Sequence, residues 1–119
     1  MTKKLDEGDI LLQKDLSLKG TIQNIFERMM KNDYEMILQI IKGRYASRKQ
    51  TGKPSTYKRR RPEESELKHL DHSKKYLYNF IRMLADPYPN AFLYVGKRKI
   101  IFKSAKYDGK KLEFMGEIQ

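Results

Sequence analysis

Cysteine is absent from this 119-residue chain. That excludes a disulfide scaffold, a thiolate metal site and a cysteine nucleophile. Histidine is scarce: His69 and His72 stand three apart in a charged stretch, and a zinc site there needs further ligands that the sequence does not obviously supply. No apolar run approaches the roughly 20 residues that cross a bilayer, so no membrane association is expected. The opening Met1-Thr2-Lys3-Lys4-Leu5-Asp6 lacks the apolar segment of a secretory signal, which makes the cytoplasm the default location.

Basic residues are abundant. The net charge is +11, and from Lys42 to Arg61 there are nine Lys or Arg and no acid. A second basic stretch runs from Lys97 to Lys111. Such fields attract nucleic acid, anionic sugars or phosphates, although a solvated basic loop has the same composition. Apolar residues make up 39%, enough for one modest core, and the supply of Tyr and Phe argues against disorder throughout.

Ile10-Leu11-Leu12, after the acidic turn Asp6-Glu7-Gly8-Asp9, reads as a short strand. Gly20-Thr21 opens the longest helix, with Thr21 as its cap. Apolar residues recur at Ile22, Ile25, Phe26, Met29, Met30, Ile37, Ile40 and Ile41 at helical spacing, and Gly43 stops it. One face is apolar along its length, so it must pack on something large, and the rest of this short chain offers little. Residues 44–66 show no period and read as a basic linker, with a short extended piece at Ser55-Thr56-Tyr57. Asp71 or Ser73 caps a second helix whose face is Tyr76, Leu77, Phe80, Ile81 and Leu84. Pro87 ends it. Three strands follow, over 91–95, 99–106 and 111–118, with turns at Gly96-Lys97-Arg98 and Asp108-Gly109.

Candidate sites are few. Asp6, Glu7 and Asp9 form an acidic loop that suits catalysis or a cation, or is a plain solvated turn. Arg59, Arg60 and Arg61 present rigid forks that match phosphate oxygens, and Tyr45 and Tyr57 nearby could stack on bases. Tyr88, Phe92 and Tyr94 read as core and turn residues rather than a stacking platform.

These segments carry a resemblance. Asp6-Glu7-Gly8-Asp9-Ile10 with Gln13 resembles the D-x-G-x-I…Q segment of the 10-formyltetrahydrofolate-dependent formyltransferases. That family includes enzymes acting on methionyl-tRNA and on nucleotide-linked amino sugars. Arg59-Arg60-Arg61-Pro62-Glu63-Glu64-Ser65 is similar to its R-R-x-P-E-D-S segment. Tyr78 to Leu84 with Pro87-Tyr88-Pro89-Asn90-Ala91-Phe92 resembles its I-R-A-L…P-Y-P-G-A-F block, with Asn90 in place of the usual glycine. The basic strand Lys99 to Ala105 fits the strand that follows.

The resemblance implies an α+β chain. Residues 1–43 would be the end of a truncated Rossmann-like catalytic domain, a short strand and a long amphipathic helix. Residues 44–66 would be a basic linker. Residues 67–119 would be a helix and a small antiparallel sheet, a partial OB-like C-terminal module. It implies that Asp6 is the aspartate of an Asn-His-Asp trio whose other members would lie before Met1. It also implies that 10-formyltetrahydrofolate is the formyl donor of the assembled enzyme, with none bound by this chain alone. The helix face over 21–42 would then dock on an N-terminal formyltransferase half or self-associate. The acceptor would be methionyl-tRNA or a nucleotide-sugar, and the short sheet tilts toward a small amine. The alternative from another class is a stand-alone basic module that binds RNA or an anion without catalysis.

Overall fold

A computed structural model of the chain describes residues 6–119. The stretch Met1–Leu5, read above as lacking a signal segment, lies outside the described residues. Two α-helices and one three-stranded antiparallel sheet are present, an α+β arrangement. The chain divides into two compact units. Of the described residues, unit 1 comprises 6–19 and 23–58, and unit 2 comprises 20–22 and 59–119.

Unit 1 is built around helix α1, Ile22–Ile41, whose first residue belongs to unit 2. The apolar spacing sets the helix, and Gly43 ends it. Gly43 takes the left-handed φ of 65°, which costs a glycine nothing, and the amides of Gly43 and Arg44 bond back to the carbonyls of Ile40 and Gln39 at 2.9 and 2.8 Å. Residues 9–19 run antiparallel beside α1, tied by polar side chains. Arg28 donates to the Ser17 carbonyl at 3.0 Å and to that of Lys19, Asn32 donates to the Asp15 carbonyl at 3.1 Å, and Lys14 pairs with Glu35.

The strand expected at Ile10-Leu11-Leu12 does not form. Ile10 makes one antiparallel bridge with Arg48, with N–H···O distances of 2.9 and 3.0 Å, and no ladder extends from it. An apolar run becomes a strand only when a neighbour of matching length pairs with it, and residues 44–50 offer a single register position. Likewise Ser55-Thr56-Tyr57 carries no regular structure.

Unit 2 has a core. Helix α2, Lys74–Met83, is capped by Ser73, whose hydroxyl accepts from the Tyr76 amide at 3.2 Å. The helix presents Leu77 and Ile81 to the sheet, and both are buried. Strands β1 (Phe92–Val95), β2 (Arg98–Tyr107) and β3 (Leu112–Ile118) lie in the order β1-β2-β3. Gly96, with φ 60°, makes the tight turn between the first two. Asp108 makes the second turn by accepting from the amides of Lys110 and Lys111 at 2.8 and 2.7 Å. A bulge between Phe102 and Ser104 shifts the β2–β3 register.

Leu67, Leu77, Ile81, Leu84, Ala91, Leu93 and Phe102 form one buried cluster. Each Leu, Ile or Phe so buried stabilises by about 1.5–3 kcal/mol before entropy is subtracted. Phe102, 1% exposed, meets the Phe114 ring edge-on at 4.9 Å. Residues ahead of α2 complete the unit. A 3-10 turn over Pro62–Ser65 buries Ser65, and the next residues lie alongside β1, with Glu66 bridging Phe92 and the Leu67 amide bonding the Phe92 carbonyl at 2.6 Å.

Candidate functional site

The acidic loop of unit 1 is held from outside by residues 47–50. The Gln50 amide donates to the carbonyls of Asp6 and Gly8, both at 2.7 Å. Ser47 Oγ donates to Asp9 Oδ2 at 2.9 Å, and the Arg48 guanidinium bonds Gln13 Oε1. These contacts separate the acids by role. Asp9 is engaged with Ser47, whereas Asp6 stands exposed on a left-handed turn with φ 59°. That backbone region is uncommon for a residue other than glycine, and Asp tolerates it better than most. An exposed carboxylate aimed from such a turn can accept a proton or orient a neighbouring imidazole, but it needs partners to do chemistry.

Beside this loop lie two open grooves. One, of about 510 Å³, runs between Asp9–Leu12 and the Asp33, Met36, Ile37 and Ile40 positions of α1. The apolar face of α1 continues outward from it, with Met30, Ile37 and Ile41 more than half exposed. The face that must pack on something large is therefore buried at Ile25 but uncovered at Met30, Ile37 and Ile41.

In unit 2 the three arginines do not act as a uniform run. The Arg60 guanidinium donates to the Glu64 carbonyl at 2.6 Å and lies 5.6 Å from the centre of the Phe80 ring. The Arg61 amide bonds the Glu64 carboxylate, so Arg61 opens the 3-10 turn. All three side chains are exposed. Arg60 is thus partly committed to structure, leaving Arg59 and Arg61 better suited to an outside anion.

The Pro-Tyr-Pro block behaves differently from expectation at two places. Tyr94, expected in the core, is more than half exposed on the outer face of the sheet beside Phe92, because alternation along β1 gives the core to Leu93. Asn90, in place of the family's usual glycine, does not take the left-handed geometry that a glycine would allow: among the described non-glycine residues Asp6 alone has positive φ. The Asn90 side chain instead joins two elements. It donates to the Leu84 carbonyl at 3.2 Å and accepts from Lys103 Nζ at 3.0 Å.

Sequence reasoning missed Arg82. Its guanidinium bonds Asn79 Oδ1 at 2.8 Å and the Gly20 carbonyl at 2.6 Å, and lies 5.4 Å from the Tyr78 ring centre. The only signal was its place in the Ile81-Arg82-Met83-Leu84 block. His69 and His72 stack on one another at 4.5 Å. Among the described residues no group of three or more His, Asp or Glu side chains could hold a metal ion, and no helix is long and apolar enough to cross a membrane.

Residues 62–118 match the family model of the methionyl-tRNA formyltransferase C-terminal domain. Over 112 residues the chain is 30% identical to the bifunctional polymyxin resistance protein ArnA of Wigglesworthia glossinidia brevipalpis, which covers 89% of this chain and 17% of that protein. Its fold is similar to that of methionyl-tRNA formyltransferase from Clostridium thermocellum, with a TM-score of 0.87 and 35% identity. That likeness covers all of this chain and 53% of the other. The chain therefore spans about half of one relative and under a fifth of the other.

Proposed function

The chain belongs to the methionyl-tRNA formyltransferase family, in which it matches the C-terminal portion, and from that premise we propose that it works as the C-terminal part of a folate-dependent formyltransferase. The observation that carries this reading is the likeness to a formyltransferase along the whole chain, not only over the small sheet. In this reading residues 1–43 are the end of a catalytic domain, 44–66 a basic linker, and 67–119 the C-terminal module. A stand-alone RNA- or anion-binding module is not favoured, because it leaves the likeness of residues 6–58 without a purpose.

Asp6 is the residue proposed for chemistry. It orients the imidazole of the trio and helps remove the proton of the attacking amine, while asparagine and histidine stabilise the oxyanion of the tetrahedral intermediate. Those two come from an N-terminal half, on the same or another polypeptide, and proximity makes the trio effective. The α1 face over residues 21–42 docks on that half, which supplies the large apolar partner this helix requires.

10-Formyltetrahydrofolate supplies the formyl group in such enzymes. The residues here do not by themselves fit that donor, because the grooves of unit 1 are open and lined by aliphatic and charged side chains with no aromatic cover for a pterin. Donor binding is assigned to the N-terminal half. Arg59 and Arg61, with Arg60, meet the phosphates of the acceptor, whether methionyl-tRNA or a nucleotide-linked amino sugar. The short sheet keeps the small amine slightly ahead. The cytoplasm is the setting this reading assigns.

The test is complementation with a formyltransferase N-terminal half. Formyl transfer should appear on mixing and be lost in Asp6→Ala by about a thousandfold. Arg59→Gln with Arg61→Gln should raise the acceptor KM and flatten its salt dependence. A complemented enzyme fully active with Asp6→Ala refutes the site assignment.

A further inference from the structure

The two edges of the sheet are unlike. The β1 edge is four residues long and is covered by Glu66 and Leu67, through the bridge to Phe92 and the 2.6 Å bond from the Leu67 amide. The β3 edge is seven residues long, and no described residue extends the sheet beyond it. Its protection as an exposed edge rests on two charges, Glu113 and Glu117. The bulge lies in β2, and β3 contains no proline and no lysine within Leu112–Ile118. Phe114, Met115 and Ile118 are each at least half exposed.

The geometry points to self-association of this chain through β3, paired antiparallel with β3 of a second copy about a two-fold axis at Phe114. The register follows from hydrogen-bond direction and charge. Gln119 exchanges both backbone bonds with Lys99 at 2.8 and 2.9 Å, and the Lys111 carbonyl accepts from Asp108. Odd-numbered residues of β3 therefore turn their amides and carbonyls inward to β2, and Leu112, Phe114, Gly116 and Ile118 turn theirs outward. A two-fold pairing must match these outward residues with one another.

Charge then selects among the registers that do so. An axis at Glu113 sets that carboxylate against itself, and an axis at Met115 sets Glu113 against the partner's Glu117, twice. An axis at Gly116 brings no opposite charges together, because Glu113 falls opposite the partner's Gln119 and Lys111 has no carboxylate across from it. The axis at Phe114 places Lys111 opposite the partner's Glu117 on both sides of the dyad. It also places Phe114 opposite the partner's Phe114, and Leu112 opposite the partner's Gly116, where no side chain competes for space.

The two sheets become one of six strands, and Phe114, half exposed in the single chain, meets the partner's Phe114 across the axis. Lys111 and Glu117 have partners within the chain, Glu113 and Lys103 at 2.5 and 3.7 Å. Both are exposed pairs of the kind that exchange at little cost. This inference rests on unit 2 alone and does not depend on the formyltransferase reading.

Sedimentation equilibrium of the 119-residue chain tests it. A dimer is expected, weakened about tenfold by Lys111→Glu or by Glu117→Lys and restored when the two are combined. Because the chain has no cysteine, introduced thiols report register directly. Glu113 and the partner's Met115 form a non-hydrogen-bonded pair, whose Cα atoms lie about 4.5 Å apart, within disulfide reach. Glu113→Cys mixed with Met115→Cys should give a mixed disulfide on oxidation that exceeds either homodimer. A monomer at all concentrations up to about 1 mM overturns the proposal. So does a dimer lacking the mixed disulfide, or one dissociated by Ile37→Glu and untouched by the charge reversals.

Discussion

Seven apolar side chains close on one another in unit 2, whereas among the described residues of unit 1 Ile25 alone is fully buried. The two units use different physics. Unit 2 is held by area removed from water, a capped helix and two hairpins. Unit 1 is held by exposed polar contacts: Lys14 with Glu35, Arg28 with two carbonyls, Gln50 with two more. Exposed ion pairs contribute about 0–1 kcal/mol each, so unit 1 cannot match the stability that the cluster around Phe102 gives unit 2. The longer helix thus has the weaker support. Amphipathic helices draw most of their stability from what their apolar face packs against, and α1 shows Met30, Ile37 and Ile41 of that face to solvent.

Substitution at matched apolar positions is the harshest way to break this comparison. Phe102→Ala should cost unit 2 about 3–5 kcal/mol, since it removes a fully buried ring and leaves a cavity. Ile37→Ala should change the melting of the chain alone by less than about 0.5 kcal/mol, as for a surface position. Chemical denaturation followed by tyrosine fluorescence reads both. Equal losses would show that unit 1 has a core of its own.

A smaller effect is expected at the start of α2. Ser73→Ala removes the acceptor for the Tyr76 amide and should cost about 1 kcal/mol, read from the same denaturation curves. An unchanged midpoint would mean that water replaces the cap. The sharpness of this feature explains why Ser73 could be picked out from sequence, as one of two candidates.

Much of the fold was legible in the same way. Both helices, the Gly43 stop, the three strands and the Asp108-Gly109 turn are written in local spacing and turn chemistry. What escaped depends on pairing between distant residues. Ile10-Leu11-Leu12 has the composition of a strand, but strand formation is a property of two segments, and here the second supplies only Arg48. The covering of β1 by Glu66 and Leu67, and the bulge after Phe102, likewise arise only once the sheet exists. At the candidate site the motif marked Asp6 and the arginines. It did not show that Ser47 engages Asp9, that Arg60 lies against Phe80, or that Arg82 reaches the Gly20 carbonyl.

Acid titration gives the smallest effect and sharpens the contrast between the units. In unit 2 the backbone amides of Lys111 and Lys110 hold the Asp108 carboxyl below its ordinary range. In unit 1 the hydrogen bond and charge of Lys14 do the same for Glu35. A lowered pKa means that each contribution is present above the unfolded carboxylate value and is lost as pH falls through the folded one. Salt should screen the Lys14 effect on Glu35 and leave the amide effect on Asp108 nearly unchanged. Carboxyl chemical shifts followed by NMR at low and high salt check this. Equal salt sensitivity at the two groups would contradict it.

Hydrogen exchange along the full chain tests the central claim most directly, with and without an added formyltransferase N-terminal half. The account predicts that amides of α2 and β2 exchange slowly in the chain alone. Those of α1 beyond its first turn should exchange far faster, and slow only when the N-terminal half is present. Amides of α1 as protected as those of β2 in the chain alone, and unchanged by the added half, would contradict it.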